Sequence, residues 1–254
     1  AALTGLDLPD IDITRPASIR AALDACQPQV IFNCAAFTNV DACETQTETA
    51  MAVNGKAPGL LAAAARQTGA HLIHVSTDYI FDGLKGAPYT EDDPTAPISA
   101  YGRSKLVGEE AIRAQGGTWT IARTAWLYGR HGRNFVDTML RLAREKPELS
   151  VVTDQAGSPT WTRDLAAALC ALARCRATGL YHATNTGCCT RFEQTQAILE
   201  IAGLKTKLNP VTSIAFPRPA KVPPASPLDT SRLTRATGHA MRPWRQALAD
   251  YLAS

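Results

Sequence analysis

The chain has 254 residues, 45% hydrophobic and 19% charged, a composition that fits a folded globular protein and excludes a disordered or fibrous one. Lys and Arg number 26 against 23 Asp and Glu, a net charge of +3 that is too balanced for nucleic acid or an anionic membrane as the main partner. No apolar run is long enough to span a bilayer, and seven cysteines without C-x-x-C spacing read as free thiols of a reducing compartment, so the cytosol is the expected location.

Along the chain, residues 16–26 read as a helix with Thr14 as N-cap and Pro16 in its first turn. The run 29–35 has no polar alternation and predicts a strand buried on both faces of a parallel sheet, with Cys34 as an inert small hydrophobe on it. An Ala-rich helix follows over 47–67, bent at Pro58, then a strand over 71–75 and a helix over 99–115. Further strands are expected at 118–122, 151–152 and 179–183, and further helices at 135–146, 163–175, 192–202 and 244–252. Strands alternating with helices predict right-handed βαβ units and a doubly wound parallel sheet of the Rossmann type, followed by a smaller α/β lobe. The division expected is 1–126 for the core and mainly 127–254 for the second lobe, with segments around 150–185 returning to the core. The proline-rich stretch Phe216–Pro227 reads as an extended loop.

In such sheets ligands bind beyond the carboxyl ends of the strands, which points to residues 35–41, 76–83 and 123–129. Tyr101 and Lys105 stand at i and i+4, one turn apart on one helical face. An ammonium beside a phenol favours the phenolate and lowers its pKa, which suits a general acid near neutrality. Taken alone, the pair reads more readily as a surface feature of an amphipathic helix, and its context decides otherwise. Ser76-Thr77-Asp78-Tyr79 closes the preceding strand, where a hydroxyl could bond a carbonyl oxygen that Tyr101 protonates. Trp126 either faces a substrate or plugs the lobe interface. His71 and His74, three apart on a strand, point to opposite faces and make no metal pair; no metal is expected.

Together with Phe32–Glu44, Pro97–Lys105, Arg123–Tyr128, Asp154–Thr160 and Leu228–Thr230, these blocks resemble the dTDP-4-dehydrorhamnose reductase family of the extended short-chain dehydrogenase/reductases, end to end and in order. The resemblance implies Thr77, Tyr101 and Lys105 as catalytic residues. It places Asp12 and Ile13 by the adenine of NADPH or NADH, Ala35, Ala36 and Thr38 along the dinucleotide, and Lys105 on the nicotinamide ribose. Asp78, Tyr79, Trp126 and Asn134 fall on the substrate side. The implied reaction is reduction of the 4-keto group of dTDP-4-dehydro-L-rhamnose; the alternatives are a non-catalytic regulatory subunit on the same fold and a reductase of another nucleotide sugar. A homodimer is one expectation for the assembly.

Three departures stand beside the resemblance. The Gly-rich strand–loop–helix that opens the family, a unit of roughly 30 residues, is expected upstream of Ala1. Val222 and Ala225 replace an arginine and an asparagine usual in the proline-rich loop, leaving Arg218 or Lys221 as cations for a diphosphate. Arg191 stands where the family usually has tryptophan.

Overall fold

A computed structural model describes residues 2–254. Helix α1 (Pro16–Cys26) leads into strand β1 (Val30–Asn33), and the short helices α2 (Val40–Thr45) and α3 (Thr47–Ala50) follow. A π-helical turn, Met51–Lys56, carries the chain directly into α4 (Ala57–Thr68). Next come β2 (His71–Thr77), α5 (Ala100–Gln115), β3 (Trp119–Thr124), β4 (Leu127–Tyr128) and α6 (Phe135–Glu145). The remainder is β5 (Glu148–Val152), β6 (Ala156–Gly157), β7 (Thr160–Trp161), α7 (Thr162–Arg174), β8 (Gly179–His182), β9 (Cys189–Thr190), α8 (Arg191–Ile201), β10 (Lys207–Val211), α9 (Ser231–Thr237) and α10 (Trp244–Ala253).

Four strands pair in parallel in the order β1-β2-β3-β8, with Ile73 opposite both Phe32 and Thr120. Successive residues of a strand face opposite ways, and the two cores divide accordingly. Leu72 and Ile121 pack with Ile19, Leu61 and Ile112 of α1, α4 and α5. Ile73 and Ala122 pack with Leu165, Leu169 and Leu172 of α7. Helices therefore cover both faces, which is why almost every residue of β2 and β3 is buried. A third core joins α6, α8 and α10 through Val136, Ile198, Leu248 and Tyr251, beside the two-stranded pair β5–β10.

Two local expectations are corrected. Thr14 is not the cap of α1: Arg15 holds the N-cap position without a side-chain bond, and the Thr14 hydroxyl donates instead to Asp12 Oδ1 at 2.6 Å. Strand β1 is not buried on both faces, because it is the outer strand among the described residues; Phe32 is exposed, and Cys34, one residue past the strand's end, is exposed rather than part of the core.

Candidate active site

The carboxyl ends of β1, β2 and β3 meet the first two turns of α5, and two glycines set that meeting. A Cβ on Gly102 would overlap the backbone carbonyl of Tyr79, and one on Gly108 would overlap that of Asn54. The helix thus rests backbone against backbone on the segment after β2 and on the π-helical turn. Ser99 caps α5 by accepting from Gly102 N at 3.1 Å. Asn54, buried, holds the segment after β1 in place: its amide accepts from Phe37 N (2.8 Å) and donates to Phe37 O (3.0 Å) and to Ser104 Oγ (3.1 Å).

Tyr101 and Lys105 project from this helix start toward the end of β2. The Tyr101 ring packs edge-on to Tyr79, with centroids 5.6 Å apart, and its phenol lies toward the Thr77 side chain. Thr77 Oγ1 donates to Asp78 Oδ1 at 3.1 Å and accepts from Tyr79 N at 3.2 Å. Asp78 Oδ2 accepts from Ser226 Oγ at 2.5 Å, a contact across 148 residues of chain. One hydrogen-bonded line thus runs from Thr77 through Asp78 to the proline-rich loop.

Lys105 is 2% exposed, and its ammonium donates to the Val75 carbonyl at 2.7 Å and lies 3.2 Å from His74 Nε2. His74 in turn is held by Asn33, whose oxygen accepts from Ala35 N and whose amide nitrogen meets His74 Nδ1 at 2.9 Å. Burial lowers the Lys105 pKa to about 8, partly opposed by the charge of Glu109. Burial raises the Tyr101 phenol, and the Thr77 side chain opposes this only in part. The expected lowering of Tyr101 by Lys105 is therefore not found: the ammonium is turned to Val75 and His74, and desolvation of the phenol dominates. Tyr101 stays protonated well above neutrality.

Burial also raises Asp78, to about 6, against the bonds from Ser226 and Thr77. A carboxyl whose folded pKa lies above its ordinary 3.8 stabilises the fold fully below that value, and the contribution is lost as pH rises through about 6. Replacing Asp78 by Asn removes the titration. Between pH 4 and 7.5, the stability of Asp78→Asn relative to the native chain is expected to shift in the variant's favour by about 1–3 kcal/mol. Urea unfolding at the two pH values measures this, and a constant difference would contradict it.

The other residues singled out by the sequence lie as follows. Asp12 and Ile13 precede α1; Asp12 accepts from the N–H and hydroxyl of Thr14, which hold its carboxyl below the usual range, and Ile13 packs on the α1–α4 core. Ala35 and Thr38 are exposed at the rim beyond β1, with Ala36 half-buried between them. Tyr79 is half-buried, and burial raises its phenol. Trp126 adopts a left-handed backbone (φ 48°) and sets its indole against Gly157, where any Cβ would collide with it. Asn134 caps α6, accepting from Asp137 N at 3.0 Å and donating to Gly129 O at 2.9 Å. His71 and His74 face opposite ways as expected, His71 toward Thr120.

Sequence reading weighed His74 only as a metal ligand and missed its place, with Asn33, behind Lys105; it also missed Ser226 on Asp78 and the buried set Ser76–Glu109–Arg123. The available signal for His74 was its parity with Leu72 and Ser76, which places it on the α5 face of β2.

The whole chain, residues 1–254, matches the family described as the RmlD substrate binding domain. A dTDP-4-dehydrorhamnose reductase of Streptomyces griseus is 45% identical over 257 residues, covering 98% of this chain and 84% of the relative. A probable dTDP-4,6-dihydroxy-2-methyloxan-3-one 4-ketoreductase of Streptomyces antibioticus is 45% identical, covering 94% of this chain and 82% of that protein. The crystal structure of a Bacillus anthracis dTDP-4-dehydrorhamnose reductase in complex with NADP superposes with a TM-score of 0.94 at 36% identity, covering 98% of this chain and 88% of that one.

Proposed function

The chain belongs to the RmlD substrate binding domain family, and from that premise we propose that it reduces the 4-keto group of a dTDP-linked deoxysugar, dTDP-4-dehydro-L-rhamnose, with NADPH or NADH. The observation that carries the reading is the convergence of Tyr101, Thr77 and Lys105 at the carboxyl end of the sheet. The residues present fit a nicotinamide dinucleotide. Small side chains at Ala35 and Ala36 leave the rim beyond β1 open to close approach. The Lys105 ammonium has three N–H groups and gives one to the Val75 carbonyl, which leaves a donor for a ribose hydroxyl. Asp12 and Ile13 would take the adenine side, and Ala35, Ala36, Thr38 and Lys105 the rest; when bound, the reduced nicotinamide supplies the hydride.

Tyr101 then holds the proton at its phenol oxygen and gives it to the oxygen of the 4-keto group as negative charge develops there. Thr77 donates to the same oxygen, exchanging its bond to Asp78 for one to the substrate, and Asp78 keeps Ser226 as partner. Lys105, steadied by its bond to the Val75 carbonyl, fixes the cofactor ribose. Asp78, Tyr79, Trp126 and Asn134 border the sugar and its nucleotide. Residues 1–126 carry the dinucleotide side and 127–254 mainly the substrate side.

All seven cysteines are unpaired and five are exposed, which supports a reducing compartment such as the cytosol. Among the described residues no helix is long and apolar enough to cross a membrane. The activity is tested by following NADPH and NADH consumption with dTDP-4-dehydro-L-rhamnose and with dTDP-4-keto-6-deoxy-D-glucose. Turnover of the first in preference to the second is expected. Equal rates or the reverse order would reassign the sugar, and binding of dinucleotide without turnover of either would favour a regulatory role.

A further inference from the structure

Arg191 opens α8, directly after the capping box formed by Thr190 and Glu193. Its guanidinium lies over the Trp126 ring at 3.4 Å from the centroid and 4.5 Å from that of Phe135. The indole beneath it is backed by Gly157. The side chain makes one hydrogen bond, to the neutral Gln194 Oε1 at 3.1 Å. Among the described residues no carboxylate comes within ion-pairing distance of it, whereas Arg218, Arg123 and Lys105 are engaged; Lys221 of the proline-rich loop is exposed to solvent and stands on no aromatic ring. Arg218 pairs with Asp41 at 2.9 Å, Arg123 is buried on Glu109, and Lys105 is turned to Val75.

Its position bears on the crevice itself. Arg191 N donates to Gln155 O at 3.1 Å, the next residue, Ala156, bonds Pro224 and Ser226 of the proline-rich loop, and Ser226 in turn donates to Asp78. Arg191 thus stands two short steps from the end of β2, where Asp78 spends its own oxygens on Thr77 and Ser226. Burial draws the guanidinium pKa down to about 10, as expected of a desolvated cation without a counter-ion. A planar fork held against two aromatic rings, with most of its five N–H donors unspent, matches a phosphate group better than a single lysine does.

We propose that Arg191 is the residue that binds the diphosphate of the nucleotide-linked substrate, with Trp126 and Phe135 holding its plane. The proposal rests on the nucleotide-sugar reading above. Arg218, the cation offered by the proline-rich loop, then serves to tie that loop to Asp41 rather than to meet the diphosphate. The guanidinium, rather than a sugar or base, occupies one face of Trp126.

The test is calorimetric titration of the native chain, Arg191→Gln and Arg191→Lys with thymidine 5′-diphosphate and with thymidine. Thermal unfolding of each protein is recorded alongside. The expected result is that Arg191→Gln weakens the diphosphate by about tenfold or more, with Arg191→Lys between the two, while thymidine affinity stays within about twofold. Unchanged diphosphate affinity in Arg191→Gln overturns the proposal, as does an equal loss for both ligands, which would mark a structural role. If the native chain itself does not prefer the diphosphate to thymidine, the nucleotide-sugar reading falls with it. A preference that survives undiminished in Arg191→Gln defeats the assignment of Arg191 alone.

Discussion

Tyr101→Phe is expected to lower kcat by about 10²- to 10⁴-fold with little change in KM, the range that loss of a positioned general acid produces. The substitution removes one oxygen and leaves the ring packed against Tyr79 and the Cys43–Ala50–Ala100 cluster, so the helix start and Gly102 contact should persist. Raised by burial, the native phenol is fully protonated across the working range and releases its proton only to a developing oxyanion. Thr77→Val should cost less, about 10²-fold, because it removes a hydrogen-bond donor to that oxygen but not the proton source. The paired measurement is steady-state kinetics of both variants at several pH values. Retention of more than about a tenth of native kcat in Tyr101→Phe would show that another group supplies the proton.

Glu109→Ala is expected to destabilise the fold by about 3–5 kcal/mol, the cost of leaving a buried charge without its partner. Glu109 is 0% exposed and receives Ser76 Oγ at 2.6 Å, Arg123 Nε at 2.9 Å and Arg123 Nη2 at 2.7 Å, with the half-exposed Arg113 at 3.1 Å. Arg123 itself is 1% exposed, and its Nη1 already lacks a protein partner, so nothing nearby can take over the guanidinium. For a chain of this size the loss corresponds to a fall in Tm of roughly 10 °C. Exchanging both residues, Glu109→Leu with Arg123→Met, should recover much of the loss, because the desolvation cost disappears with the pair. The set also reaches the site, since the charge of Glu109 holds Lys105 up against burial. A fall in stability below about 1 kcal/mol for Glu109→Ala would mean that water reaches this ion pair.

Local pattern carried the placement of the catalytic candidates far enough to be useful. The i, i+4 spacing of Tyr101 and Lys105 and the hydroxyl-bearing end of β2 needed only helix and strand periods, and the βαβ order brought them to one edge of the sheet. What those patterns could not supply was the direction of the Lys105 ammonium. That depends on which face of β2 meets α5 and on His74 and Asn33 lying in register across β1–β2. The same holds for the Ser226–Asp78 bond, for Arg191 with Trp126, Phe135 and Gly157, and for Arg218 with Asp41. In each, the partners are distant in sequence and are joined only by tertiary packing. Other elements escaped for local reasons: α9 and the two-residue strands are too short to show a period. Helix α2 has only six residues and owes its start to the Asn39 cap, and β10 contains Pro210, which is compatible with a strand only at a sheet edge. Strand β2 runs two residues further than its apolar pattern because Ser76 and Thr77 continue the pairing with Arg123 and Thr124, carrying Thr77 to the site.

Hydride delivery to the 4-keto carbon with Tyr101 as proton donor is tested most directly by isotope transfer. The chain is supplied with dTDP-4-dehydro-L-rhamnose and nicotinamide cofactor carrying deuterium at its transferable position, and the label is located by nuclear magnetic resonance of the product sugar. One deuterium at C4 of dTDP-L-rhamnose is expected with the native chain, and none above background with Tyr101→Phe on the same time scale. Label at another carbon, or a reduced sugar formed at an undiminished rate by Tyr101→Phe, would contradict that chemistry.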